Sequence, residues 1–294
     1  MPHKGFTHHA AIDWSGASGQ RHRGIAVAII GADDPAPTLV RPGHIWSREE
    51  VLDWVVHHTP PDTLIGFDLG QSLPFADCGA FFPGWSESPA TARDLWALVD
   101  QLCADEPHLG VGAFVDHAQA SRHFRRHGGR QGDAFPAGRG RMRVTEQAQA
   151  RTGCQPTSNF NLVGAAQVGK ASLSGMRLFH RLPRDIAVWP MDPVPARGRV
   201  VVEIYTTLAA MAGGRQASRS KMRTQGELAQ ALAVLGCAET QAPVPPGSPI
   251  ADHASDALVT AAWLRLVSGR EELWHPSALN TALAQTEGWT FGVA

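Results

Sequence analysis

The chain has 294 residues, a formal net charge of −1, and 43% hydrophobic and 18% charged residues. This length and composition exclude a disordered polymer and are sufficient for a large domain with a buried core. Because the net charge is close to zero, the molecule as a whole does not attract nucleic acid or an anionic membrane, so any site for a polyanion must be local.

The first part of the chain predicts three short strands in succession. Apolar runs rich in Val and Ile mark them at residues 10–12, 24–30 and 38–46. The third strand is weakened by Pro42, which cannot donate a hydrogen bond to a neighbouring strand. Strands spaced this closely favour an antiparallel meander, and the first of them runs into Asp13.

A helix and a fourth strand are predicted next. Ser47 and Glu50 have the spacing of a capping box, which marks the start of a helix, and the helix should stop at Pro60. Residues 63–67 then have the composition of a buried strand. Like the first strand, this strand runs into an aspartate, Asp68.

Residues 71–197 lose this regularity and contain many Pro, Gly and Arg residues. Two helices are predicted within them, near residues 89–104 and 161–171. Because a structureless loop of this length is implausible, we interpret the segment as a partly helical insertion, such as a lid or subdomain. A Val-rich strand at residues 199–205, which carries Glu203, restores the regular pattern.

The last part of the chain predicts two helices, at residues 225–235 and 252–267, joined by a Pro-rich connector at residues 242–249. The order of all these elements predicts a single α/β domain over residues 1–294, with residues 71–197 inserted into it.

Four acids lie where strands or helices can present them to one region: Asp13, Asp68, Glu203 and Asp256. Asp252 precedes Asp256 by one helical turn and is a fifth candidate. Several buried carboxylates in one place are costly unless a cation offsets their charge. Oxygen ligands without cysteine favour Mg²⁺ or Mn²⁺ over zinc, and such ions can activate water for phosphodiester cleavage.

Each acid also has a purely structural interpretation. Asp13 and Asp68 each precede a turn that contains glycine, and each could simply start that turn. Asp252 could be the N-cap of the last helix, which is as plausible as a metal-ligand role. Glu203 is the hardest to explain in this way, because it interrupts an apolar strand.

Short segments that run in order through nearly the whole chain carry a resemblance to a known family. They are Ala11-Ile12-Asp13, Ile65-Gly66-Phe67-Asp68 with Leu73-Pro74, Val201-Val202-Glu203-Ile204-Tyr205, Asp252-His253-Ala254-Ser255-Asp256-Ala257-Leu258, and the terminal Glu287-Gly288-Trp289-Thr290-Phe291-Gly292-Val293. Together they resemble the predicted RNase H-like nucleases grouped as the domain of unknown function numbered 429.

The resemblance implies an RNase H-like fold, in which three antiparallel strands are continued by parallel strands and helices flank both faces of the sheet. It also implies an acidic centre that binds a metal ion. Carried over position by position, it supports Asp13, Asp68, Glu203 and Asp256 as catalytic and metal-binding residues, with Asp252 as a further metal ligand.

Basic residues form a second candidate group, which could hold substrate phosphates. They are Arg122, Arg125, Arg126, Arg139, Arg141 and Arg143 in the predicted insertion, and Lys221 after the strand of Glu203. Glycines between the arginines suit a loop that closes over a phosphate backbone, and a solvated loop that pairs with acids elsewhere is an equal alternative. His253 is a candidate proton shuttle, or a group that orients a metal ligand.

These features predict a metal-dependent nuclease or phosphodiesterase that acts on nucleic acid or another phosphoester. Two alternatives stay open. The loop Asp13–Gly19 loosely resembles the phosphate-binding turn of sugar-kinase and actin-like enzymes, which would make the protein a phosphoryl-transfer enzyme. The fold could also serve a catalytically silent module that binds nucleic acid or protein.

The sequence also bears on the cellular compartment of the protein. No stretch approaches the roughly 18 uninterrupted apolar residues of a membrane-spanning helix. The polar residues 1–4 do not resemble a signal peptide, and the four cysteines lack the spacing of a disulfide framework or a zinc site. We therefore expect a cytoplasmic protein without a membrane partner.

Overall fold

The computed structural model of the protein describes residues 5–164, 168–238 and 245–294. Three sequence predictions fall partly outside the described residues: the missing signal peptide at residues 1–4, the helix near residues 161–171, and the Pro-rich connector at residues 242–249. The described chain is α/β, with a mixed six-stranded sheet that helices cover on both faces.

The sheet has the spatial order β3-β2-β1-β4-β6-β5. Its strands are β1 (His8–Asp13), β2 (Ala26–Gly31), β3 (Thr38–Leu39), β4 (Thr63–Asp68), β5 (Ala187–Val188) and β6 (Val200–Glu203). The first three are antiparallel, which confirms the predicted meander, and β4, β6 and β5 continue the sheet in parallel. The third strand is shorter than predicted because the backbone turns at Arg41 and Gly43, both with positive φ, on either side of Pro42.

The helices join and flank these strands. They are α1 (Arg48–Asp53), α2 (Ala92–Leu102), α3 (Gly112–Asp116), α4 (Val144–Arg151), α5 (Val168–His180), α6 (Thr206–Ala212), α7 (Gln225–Val234), α8 (Asp252–Val267), α9 (Glu271–Trp274) and α10 (Thr281–Thr286). The predicted capping box is present, because the Ser47 side chain accepts from the backbone N–H of Glu50 and the Glu50 side chain accepts from that of Ser47. Helix α8 has the predicted bounds.

The alternation of side chains along the strands divides the core into two layers. On one face, Ile12, Phe67 and Val201 pack in a cluster with residues of α2 and α5. On the other face, Ala11 and Val202 pack in a cluster with residues of α6, α7 and α8. The side chains of each strand therefore point alternately to two buried faces, which explains why the strand sequences are continuously apolar.

The segment 71–197, predicted as an insertion or lid, does not stand apart from the sheet. Its helices α2 and α5 form the layer on one face of the sheet, and its strand β5 pairs with β6 at the sheet edge. Of the helix predicted near residues 161–171, the described residues from Val168 on belong to α5, whereas residues 161–164 are not helical, and the main chain of Leu162 donates to the carbonyl of Arg125. Among the described helices, none combines the length and hydrophobicity needed to cross a bilayer.

Gly66 lies in the centre of β4, where α8 approaches the sheet. A Cβ at this position would lie 2.7 Å from Cγ2 of Ile204 and 3.0 Å from Cδ1 of Leu264. We therefore expect Gly66→Ala to lower the free energy of unfolding by about 1–3 kcal/mol through overpacking. Urea denaturation measures this loss. Gly269→Ala is the matched control, because no atom lies within 4 Å of its added Cβ, and an equal effect of both changes would contradict the prediction.

Candidate functional site

Two carboxylates meet at the end of the sheet because two parallel strands stop at the same level. In the register of β1 and β4, Asp13 is the direct neighbour of Asp68. Asp13 follows Ile12 and Asp68 follows Phe67, so both aspartates belong to the opposite sheet face, the face that α8 covers. The pairing places two negative charges side by side on one face.

Helix α8 brings a third carboxylate to the same place. Asp256 lies in the second turn of α8, is 2% exposed, and accepts a hydrogen bond from Nζ of Lys221. Lys221 is held there by its neighbour, because Oγ of Ser255 donates to the carbonyl oxygen of Met222 over 2.8 Å. The lysine therefore covers Asp256 with a positive charge.

Two more side chains orient the aspartates. Nδ1 of His253 lies 3.3 Å from Oδ2 of Asp13, and Oγ1 of Thr206 donates to Oδ2 of Asp68 over 3.2 Å. His253 precedes Asp256 on α8, and Thr206 is the first residue of α6. The role predicted for His253, as a proton shuttle or a group that orients a metal ligand, stays a prediction.

Proximity and burial change the ionisation of these groups. Burial, together with the charges of Asp13 and Asp256, raises the pKa of Asp68 to about 8. Burial also raises the pKa of Asp256, to about 6, although Lys221 opposes the shift. The hydrogen bond to Asp13 raises the pKa of His253. Asp68 therefore holds a proton at neutral pH, mainly because burial disfavours its charged form.

The donor atoms suit a hard divalent cation, but their present arrangement does not form a complete site for one. Carboxylate oxygens are the ligands that Mg²⁺ and Mn²⁺ prefer. In residues 5–164, 168–238 and 245–294, no group of three His, Cys, Asp or Glu side chains is arranged to hold a metal ion. In this arrangement Nζ of Lys221 occupies an oxygen of Asp256.

Asp252 lies at the edge of the cluster. It is the first residue of α8, and Oδ1 is 3.5 Å from Nε of Arg223. The N-cap of α8 is Ala251, so the interpretation of Asp252 as the N-cap is wrong. Its side chain lines the same cavity as Asp13 and Asp68.

Glu203 does not join the aspartates, which corrects the sequence prediction. In the register of β4 and β6 it is the neighbour of Phe67, one residue before Asp68. Because side chains alternate along a strand, this offset turns Glu203 to the opposite face from Asp68. Glu203 still lines the cavity, but its carboxylate forms an ion pair with Arg143.

Arg143, predicted to bind phosphate, is instead a buried structural arginine. Its Nη2 donates to Oε1 of Glu203 over 2.6 Å, and its Nε donates to Oε1 of Glu146 over 2.8 Å. Oε1 of Glu203 also accepts from Thr290, and Oε2 accepts from the backbone N–H of Gln71 over 2.7 Å. These bonds occupy both oxygens of Glu203.

The other predicted basic residues of the segment 71–197 lie apart from the aspartates, and most of them are paired with other acids. Arg122 pairs with Asp133, Arg126 with Asp116, and Arg141 with Asp77. Arg141 also donates to the carbonyl oxygens of Pro74, Ala80 and Phe81, which commits its guanidinium to the fold. Arg125 and Arg139 are exposed and, like Arg122, do not line the cavity of the aspartates. Of the seven basic residues predicted to bind phosphate, Arg143 and Lys221 line that cavity. Arg143 is buried in its ion pair with Glu203, whereas the side chain of Lys221 is partly exposed.

The cavity around the aspartates has a volume of about 560 Å³. Its walls include residues that the sequence analysis did not name as site residues, among them Gln149, Gln155, Asn159, Tyr205 and Thr206. Tyr205 and Thr206 come shortly after the end of β6, and this position after a strand end is the sequence signal that could have indicated them. Gln149, Gln155 and Asn159 lie in segments without a motif, so only the fold identifies them.

Comparisons with protein-family models, with curated proteins and with solved structures found no match to this chain.

Asp68 should destabilise the metal-free protein at alkaline pH. Its pKa in the folded state, about 8, lies above the ordinary value of about 4. Between these values the unfolded chain releases a proton that the folded chain keeps, so stability falls as pH rises toward 8 and then levels off. We expect Asp68→Asn to flatten this dependence and to raise the melting temperature at pH 8.

Thermal unfolding in a chelating buffer across this pH range tests the expectation. Asp33→Asn is the matched control, because Asp33 is exposed in the turn after β2. A pH dependence that stays unchanged in Asp68→Asn would contradict the charge assignment.

Removal of the Arg143 guanidinium should be strongly destabilising. Arg143→Met would leave Glu203 and Glu146 buried without their cation, which costs about 3–5 kcal/mol. Urea denaturation measures the loss, with the exposed Arg151→Met in α4 as control. If Glu203 were instead free to bind metal, Arg143→Met would have little effect on the stability of the metal-free protein.

Proposed function

We propose that this protein is a divalent-metal-dependent phosphodiesterase of RNase H-like type, with nucleic acid or another phosphodiester as its substrate. The observation that carries the proposal is the meeting of Asp13, Asp68 and Asp256 at the end of one sheet, beside an open cavity. So many carboxylates in a partly desolvated site are costly without a cation. The meander continued by parallel strands supports the RNase H-like assignment.

The three aspartates would hold Mg²⁺ or Mn²⁺ once Nζ of Lys221 moves away from Asp256. Such an ion supplies Lewis acidity and lowers the pKa of a bound water. His253 orients Asp13 and can hold a proton, and Thr206 fixes Asp68. The ammonium of Lys221, which is partly exposed on the cavity wall, can then bind a phosphate oxygen.

Hydrolysis of bis(p-nitrophenyl) phosphate with Mn²⁺ tests this assignment. We expect Asp13→Asn and Asp68→Asn to lower kcat by about a thousandfold, because the ion stabilises the transition state by several kcal/mol. Mn²⁺ should also raise the melting temperature of the unaltered protein, and this rise should be lost in both variants. Asp33→Asn, an exposed aspartate away from the cavity, should keep both properties.

Other results would contradict the proposal or favour another function. Equal hydrolysis by all variants would show that the aspartates do not act. Stabilisation by ATP in place of Mn²⁺ would favour a phosphoryl-transfer enzyme, and binding of nucleic acid without any hydrolysis would favour a silent binding module.

A further inference from the structure

A second cleft lies next to the cavity of the aspartates. It has a volume of about 400 Å³ and shares Gly16 and Ala17 with the first cavity. These two residues belong to the loop that follows Asp13. A ligand that crosses this loop would therefore contact both spaces, and each space is large enough for a group of nucleotide size.

The second cleft has a surplus of positive charge. Its Lys and Arg side chains are Arg48, Arg126, Arg130 and Lys170, and its carboxylates are Glu106 and Asp116. Both carboxylates are engaged already: Glu106 accepts from the backbone N–H groups of Gly112 and Ala113, and Asp116 accepts from Arg126 over 2.8 Å. This local surplus occurs on a chain whose net charge is −1.

Arg48 contributes a buried charge that forms no ion pair with a carboxylate in the described residues. It is 3% exposed, and its guanidinium donates to the carbonyl oxygens of Ser15 over 2.8 Å, Ala17 over 2.7 Å and His108 over 3.0 Å. Its Nε is buried without a hydrogen-bond partner, and burial lowers its pKa to about 10. Within the described ranges, no carboxylate lies within ion-pair distance of Arg48. Arg48 thus fixes the shared loop and leaves a positive potential that an anion would offset.

Three further cations line the cleft, two of them positioned by a tight turn and one by a helix. The backbone N–H of Arg126 donates to the carbonyl oxygen of Arg130 over 2.7 Å, across a turn in which Gly128 and Gly129 both have φ of 73°. This turn holds the two arginines beside each other. Lys170, in the first turn of α5, is half-buried and has no carboxylate within ion-pair distance in the described part of the chain.

We propose that the second cleft binds a phosphate of the substrate strand next to the one that is cleaved, so that the substrate is single-stranded nucleic acid and not a mononucleotide. The inference rests on the proposed function of the aspartate site. A basic groove that continues from a reaction centre is how proteins follow a single-stranded backbone. Arg126, Arg130 and Lys170 provide this groove, and Arg48 holds the loop that joins it to Asp13.

Binding without turnover tests the inference separately from catalysis. The probe is a fluorescein-labelled single strand of about 12 nucleotides, prepared as DNA and as RNA, and its anisotropy is measured with EDTA at several salt concentrations. We expect Arg130→Ala/Lys170→Ala to weaken binding of at least one strand by about tenfold and to reduce the slope of log affinity against log salt by about 1.4. The control variant Arg151→Ala/Arg184→Ala removes two exposed charges outside both clefts and should bind as the unaltered protein does.

The outcomes separate the two proposals. Equal losses in both double variants, or no loss in the cleft variant at an unchanged melting temperature, would overturn the cleft assignment. Competition by a mononucleotide as strong as that by the unlabelled strand would overturn the strand assignment. Failure of the unaltered protein to hydrolyse bis(p-nitrophenyl) phosphate with Mn²⁺ would overturn the proposed function, whereas a selective loss of binding in the cleft variant would still support the nucleic-acid groove.

Discussion

The carboxylates at the end of the sheet impose the central constraint on this protein. Asp13 and Asp68 are neighbours in the register of β1 and β4, and Asp256 approaches from α8. Burial, together with the charges of Asp13 and Asp256, raises the pKa of Asp68 to about 8. Lys221 and His253 reduce the repulsion among these carboxylates without removing it. A site of this kind costs folding stability, which is typical of a site kept for function.

The fold creates this cluster with ordinary structural means. Parallel strands that end at the same level present their last side chains to one edge of the sheet, and the first turns of α8 reach the same edge. The N-terminus of a helix carries partial positive charge, which favours Asp252 in the first turn of α8. The hydroxyl of Ser255 on α8 donates to the carbonyl oxygen of Met222, which holds the neighbouring Lys221 over Asp256. The position of each charged group therefore follows from a backbone element.

Arginines of the segment 71–197 serve two different purposes. Arg141, Arg143 and Arg177 are buried and bond to carboxylates and carbonyl oxygens, so they hold the helical layer against the rest of the domain. Arg126 and Arg130 remain at the surface of the second cleft. A high arginine content is therefore not evidence for a phosphate site by itself. The distinction depends on whether the guanidinium itself is buried among the acids and carbonyl oxygens that already bind it.

The sequence by itself determined the local elements and most of the acidic cluster. Short apolar runs, the capping box at Ser47 and the acids at the strand ends were sufficient for the meander, for α1 and for Asp13 and Asp68. These signals are local, since each depends on residues that are close in the chain. Only the tertiary structure decided that Glu203 faces away from the aspartates, because a register offset of one residue reverses the face of a strand side chain. It also decided which arginines are neutralised and where Lys221 and Arg48 lie, because their partners are far away in the chain and pairing at that distance leaves no local pattern.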